Sequence, residues 1–174
     1  MLQLLSYLDA AYNLARWLTR DEHDAEDVVQ DAYLRAIRHF GGFQGGDGKA
    51  WLLTIVRNQC YDRMKQKRVS ERSLPFDEEL HTSSQADPEA SLLRDERARL
   101  LRHALAELPL ELREVLVLRE LEELSYREIA TVASIPVGTV MSRISRGRKR
   151  LQRIFLIRKN GEKVDPQNAP VARY

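Results

Sequence analysis

The chain has 174 residues, of which 43% are hydrophobic and 31% charged, and its formal net charge is +2. This balance excludes collagen-like, low-complexity and wholly disordered chains, and no apolar run approaches the roughly 18 residues a membrane span needs. Cys60 is the only cysteine, so an internal disulfide and a multi-cysteine zinc site are excluded. The start, Met1-Leu2-Gln3-Leu4-Leu5, lacks the basic residues and small-residue cleavage site of a secretory leader, so the expected location is cytoplasmic.

Apolar residues recur at three- and four-residue steps and no segment alternates as a strand does, which predicts an all-α fold. The first helix is expected over residues 4–19. The second starts near Asp24 and runs to Phe40, with Ala25, Val28, Val29, Ala32, Ala36, Ile37 and Phe40 on one stripe. A glycine-rich stretch from Gly41 to Gly48 ends it. The third helix is expected from about Lys49 to Lys67, burying Trp51, Leu52, Ile55, Val56, Cys60 and Met64. Periodicity then dissolves into Ser, Asp, Glu and Pro, the composition of a flexible linker. It returns at Leu100 to Leu108, at Leu112 to Arg119, at Tyr126 to Ala133 and at Val137 to Ile157. The reading is two small helical domains, residues 1–68 and 93–158, joined by a flexible acidic linker over 69–92. A disordered tail is expected over 159–174.

Charge is segregated along this plan. Residues 41–72 carry a net +4, residues 73–98 a net −5, and residues 134–159 carry eight cations and no acid. Two basic blocks around an acidic stretch point to two contacts with one polyanion.

The most specific signal lies at 125–150. Ser125-Tyr126-Arg127-Glu128 is a capping box that starts a short helix. Ser134-Ile135-Pro136 breaks the chain, and a basic helix follows. This is a helix-turn-helix, with Ile129, Ala130, Ile135 and Val140 wedging the two helices together. The second helix projects Thr139, Met141, Ser142, Arg143, Ser145, Arg146, Arg148, Lys149 and Arg150. Its N-terminal half suits the floor of a DNA major groove, and its Arg- and Lys-dense C-terminal half suits phosphates.

At these residues the sequence resembles a known family. Tyr126-Arg127-Glu128-Ile129-Ala130 through Pro136-Val137-Gly138-Thr139-Val140-Met141-Ser142-Arg143 looks like region 4 of the extracytoplasmic-function (ECF) sigma factors of bacterial RNA polymerase. Asp24-Ala25-Glu26-Asp27-Val28-Val29-Gln30-Asp31, followed by Trp51-Leu52-Leu53-Thr54-Ile55-Val56-Arg57-Asn58, resembles region 2. The resemblance implies a factor that directs core polymerase to promoters and helps to melt them. It implies docking on the clamp of the polymerase largest subunit through Asp24, Asp27, Gln30 and Asp31. It implies capture of melted −10 DNA by the loop residues Gln44, Asp47 and Lys49 with Arg57, Asn58 and Arg63 on the helix, where Lys65, Lys67 and Arg68 can hold phosphates. The basic helix would read the duplex −35 element. An anti-sigma factor is a further implied partner, and membrane insertion is not implied. Two positions depart from the pattern: Gly48 stands where many relatives carry an aromatic or apolar residue, and Met141 where Arg is common.

Other classes fit less well. His23, His39, His81 and His103 show no ligand or triad spacing, and no glycine loop is built for ATP. The expectation is a non-enzyme with no catalytic residue, metal or cofactor. A sigma-mimicking module that captures an anti-sigma protein would not need the +8 helix or Asn58. A dimeric helix-turn-helix regulator would leave residues 1–68 unexplained.

Overall fold

A computed structural model describes residues 2–42, 45–72 and 92–159. It is all-α among these residues, arranged as an N-terminal unit within 2–72 and a C-terminal unit within 92–159. Gln44, the acidic residues Asp77, Glu78 and Glu79, and the tail 160–174 lie outside the described residues.

The N-terminal unit opens with α1 (Leu2–Leu5) and α2 (Leu8–Thr19), separated by a turn at Ser6 and Tyr7 where one continuous helix was expected. Ala10, Ala11, Leu14, Ala15 and Leu18 form the buried side of α2. Arg20 ends that helix in the left-handed region at φ 64°. Asp21 then begins α3 (Glu22–His39) by accepting a hydrogen bond from the Asp24 amide at 2.9 Å, one helical turn closure that satisfies an otherwise free donor. Ala25, Val28, Val29, Ala32 and Ala36 bury the expected stripe. Ile37 does not belong to it and is exposed, because it lies about 120° around the helix from Ala25, whereas Val28, Val29, Ala32 and Ala36 lie within about 60° of it. After a 3₁₀ turn (Phe40–Gly42), α4 (Gly48–Arg72) runs five residues beyond the expected end. Leu52, Leu53, Val56 and Cys60 of α4 complete this core. The alanines of α2 and α3 have no bulk beyond Cβ, so the helix backbones can approach closely.

In the C-terminal unit, α5 (Leu92–Ala106) leads through Pro109 to α6 (Leu110–Leu116). A wide turn of π-helix (Val117–Leu121) follows, closed by the Glu122 amide donating to the Val117 carbonyl at 3.1 Å. Such turns insert an extra residue per turn and are rare. Next come α7 (Tyr126–Ala133) and α8 (Val137–Lys159). Every residue from Leu112 to Leu118 is buried, so α6 is a central helix covered on all sides. It packs on α8 of its own unit and on α2 of the other, and α7 packs on α4. The two units therefore share one interface. Gly147 belongs to the α6–α8 contact: a Cβ there would meet Leu116 Cδ1 at 3.0 Å.

Candidate nucleic-acid interface

The helix-turn-helix forms as the sequence predicts. The Ser125 hydroxyl accepts from the Glu128 amide at 3.2 Å, and the Glu128 carboxylate accepts from the Ser125 amide at 2.6 Å. Ser134 closes α7 in the left-handed region at φ 54°. The Pro136 carbonyl then accepts from the Thr139 and Val140 amides at 2.9 and 3.1 Å, which starts α8. Val140, Ile144, Gly147 and Ile154 line the buried side of α8 at steps of four, three and seven residues. The opposite side carries Met141, Ser142, Ser145, Arg146, Lys149 and Arg150, all exposed.

The cations of α8 are not equivalent. Arg148 makes two bonds to Glu120 Oε1, at 2.9 and 2.6 Å. Arg143 is turned toward Glu111 at 3.8 Å, with its side chain only 21% exposed. Arg146 donates to the Ser142 carbonyl at 3.3 Å along its own helix and, like Lys149 and Arg150, has no acidic partner among the described residues. Thr139 is half-buried. Of the cations expected to contact DNA, Arg146, Lys149 and Arg150 are thus free to meet a polyanion.

The described residues expected to hold melted DNA fall into four groups. Asp47 is the cap of α4, its Oδ1 accepting from the Lys49 and Ala50 amides at 2.8 and 3.3 Å, a role that an Asp just before a helix start commonly fills. Arg63 donates to Asp24 at 3.0 Å and to Asp27 at 2.7 Å, so it stands with the acids expected to dock polymerase. Lys49 and Arg57 reach into the C-terminal unit. Asn58 and Lys65 are exposed.

That reach places two ion pairs between the units. Arg57 Nε donates to Glu114 Oε1 at 2.5 Å, Tyr61 donates to Glu114 Oε2 at 3.1 Å, and the Glu114 side chain is 0% exposed. The Arg57 guanidinium also stacks 4.3 Å from the Tyr61 ring centroid. Burial, and then the Glu114 charge, push the Tyr61 phenol up to about 12. Lys49 Nζ donates to the Glu122 carbonyl at 2.8 Å and pairs with its carboxylate at 3.1 Å, where Asn13 also donates at 3.4 Å. Sequence reading missed Glu114, Glu122 and Tyr61. The visible sign was the pair Arg113-Glu114 inside an otherwise apolar run from Leu112 to Leu118, since a charge in such a run needs a partner. Arg113 is itself buried; it donates to the Ala106 carbonyl at 3.0 Å, and burial pulls its guanidinium down to about 10.

On α3, Asp24 is held by Arg63 and Lys67, Asp27 shares Arg63, and Gln30 and Asp31 are exposed beside the exposed Leu34 and Ile37. Cys60 is fully buried, and burial raises its thiol to about 12, as for an inert core residue. Among the described residues no group of three or more His, Cys, Asp or Glu side chains is placed to hold a metal, and no helix is long and apolar enough to cross a membrane.

Residues 4–69 match Sigma-70 region 2 and residues 98–151 match Sigma-70 region 4. The ECF RNA polymerase sigma factor SigE of Mycolicibacterium smegmatis is 36% identical over 148 residues, covering 84% of this chain and 57% of that protein. This chain therefore spans little more than half the length of that relative. The RNA polymerase sigma-H factor of Pseudomonas aeruginosa is 35% identical over 161 residues, covering 87% of this chain and 83% of that protein. The sigma factor RpoE of Bartonella quintana, solved in complex with the anti-sigma factor NepR, superposes with a TM-score of 0.73 at 30% identity, over 89% of this chain and 95% of that one. With both sigma regions present in order on a matching two-unit helical fold, the chain belongs to the sigma-70 family, among its ECF sigma factors.

Proposed function

We propose that this chain binds core RNA polymerase and directs it to promoters, with α7 and α8 on the duplex −35 element and α4 on melted −10 DNA. It carries no covalent chemistry of its own; the polymerase supplies it. The expected setting is the bacterial cytoplasm, with an anti-sigma factor as a regulatory partner. The observation that carries this reading is α8, which buries one side in its own unit and presents Arg146, Lys149 and Arg150 outward without acidic partners among the described residues. Phosphate contacts by such a face supply affinity, and the helix tip supplies sequence.

The packed units add a mechanistic requirement. Lys49 and Arg57 are occupied by Glu122 and Glu114, so they reach DNA only when the units part. DNA phosphates and these two carboxylates compete for the same cations. Polymerase, by holding the units at separate promoter elements, shifts that competition toward DNA. Gln30 and Asp31, with the neighbouring Asp27 and Asp24, form the polymerase-facing side of α3.

The test is reconstitution. Purified chain and core polymerase are incubated with a promoter library, and initiating templates are sequenced. Enrichment of one bipartite motif is expected, and initiation no different from core alone would refute the proposal. Asp27→Ala with Gln30→Ala should weaken assembly with core, measured by co-elution.

A further inference from the structure

The first two turns of α8 carry no charged side chain that faces outward. Val137 is 38% exposed and Met141 is 52% exposed, one turn apart and therefore on one side of the helix. Gly138 lies beside them, also exposed. A Cβ at Gly138 would meet nothing within 4 Å and its φ is not in the left-handed region, so the protein's own packing does not call for glycine there. The nearest guanidinium in sequence, Arg143, is turned back to Glu111. The tip of this helix thus presents Val137 and Met141, with the neighbouring Ser142 hydroxyl turned back to donate to the Thr139 carbonyl at 3.0 Å. The outward cations begin a turn later at Arg146.

A single exposed apolar residue is ordinary. Two of them at the end of a helix-turn-helix recognition helix are not neutral, because that end meets base edges. The floor of the major groove offers one apolar group, the C5 methyl of thymine; the other exposed edge atoms are hydrogen-bond donors and acceptors. An apolar tip pressed on a guanine, adenine or cytosine edge strips water from polar atoms and returns no hydrogen bond, which is a net cost. Pressed on a methyl, it removes apolar surface from water at both partners. Methionine's three rotatable bonds and soft sulfur let it follow a methyl whose position shifts with local DNA shape. The missing side chain at Gly138 leaves room for the base edge.

We infer that Val137 and Met141 read a thymine methyl, so that a base pair beneath the tip of α8 is specified as T·A by apolar contact. This rests on the reading of α8 as the duplex-contacting helix. Arg146, on the following turn, is then the residue available to read an adjacent purine or clamp its phosphate.

The experiment uses the full chain assembled with core polymerase and the duplex it enriches from a random library. Each thymine in the −35 half is replaced singly by deoxyuridine, which keeps the pairing edge and deletes only the methyl. At one or two positions affinity should fall about fourfold, the effect of one buried methyl-sized group. Met141→Ala should bind the thymine and deoxyuridine duplexes alike at those positions, at the lower affinity. If no position responds to deoxyuridine, or if Met141→Ala and Val137→Ala both keep the full response, the inference is overturned. Arg146→Ala with Lys149→Ala separates this from failure of the underlying reading. That variant should weaken binding to every duplex; if it does not, α8 is not on the DNA and both readings fall.

Discussion

Residues that look alike in the sequence of α8 differ in what they are free to do. Arg148 spends its guanidinium on Glu120, whereas Arg146 faces outward with only a backbone contact. Arg146→Ala should therefore cost about 1–3 kcal/mol of promoter binding if it reads a base, relaxing specificity at one position, and Arg148→Ala should cost less. The comparison is made by titrating both variants against one promoter over a series of salt concentrations. A phosphate contact shows instead as a loss uniform over sequences and a salt slope shallower by about one. Equal losses for Arg146→Ala and Arg148→Ala would mean that the Glu120 pair opens on DNA at no cost.

Helix starts are held by carboxylates, which makes the elements sensitive to acid. Asp21 lies below its ordinary value of 3.8, mainly because the Asp24 amide donates to it, with Lys67 and His23 as the nearby positive groups. Glu128 lies below 4.5, first through Ser125 and then through Asp47, with Lys49 nearby. Both folded values are under the unfolded ones, so the ionised forms stabilise α3 and α7 fully above about 4.5. That contribution is lost as pH falls through the depressed values. Replacing either residue by Ala should cost about 0.5–2 kcal/mol at neutral pH. Thermal unfolding followed by circular dichroism should show the gap from wild type closing as pH drops below 4. A gap constant down to pH 3 would mean that the caps work without their charge. The capping box was legible because Ser125 and Glu128 stand three apart before an apolar run. The π turn at Val117–Leu121 was not, since nothing in Val-Leu-Arg-Glu-Leu distinguishes a turn with an i→i+5 bond from an ordinary one. Yet that turn carries Glu120 to Arg148 and leads directly into Glu122, which meets Lys49.

At the scale of the molecule, the packed units form a closed state with a built-in weakness. Glu114 and Glu122 neutralise Arg57 and Lys49, but Arg113 is buried with Nε lacking a partner among the described residues, a cost that opening relieves. Removing one member of a buried pair costs about 3–5 kcal/mol when the other stays buried. Here the loss is capped by the free energy of closure, because once the units part water solvates Arg57. Glu114→Ala should therefore leave each unit folded, expand the chain in small-angle scattering, and raise polymerase-free affinity for single-stranded DNA. Unchanged scattering and unchanged affinity would show that the closed state does not limit DNA access.

The local patterns settled what they physically control: helix identity from apolar periodicity, the helix-turn-helix from its caps, and the basic outer face from the absence of acids over 134–159. These are interactions within a few turns of chain, so residue order suffices to find them. Which cations are free, which acids are spoken for, and that Arg57 meets Glu114 were decided by tertiary packing alone. Those pairs join residues 57 and 73 positions apart along the chain. No short-range pattern encodes such a distance; only the packing of α6 and α7 against α2 and α4 brings the charges together.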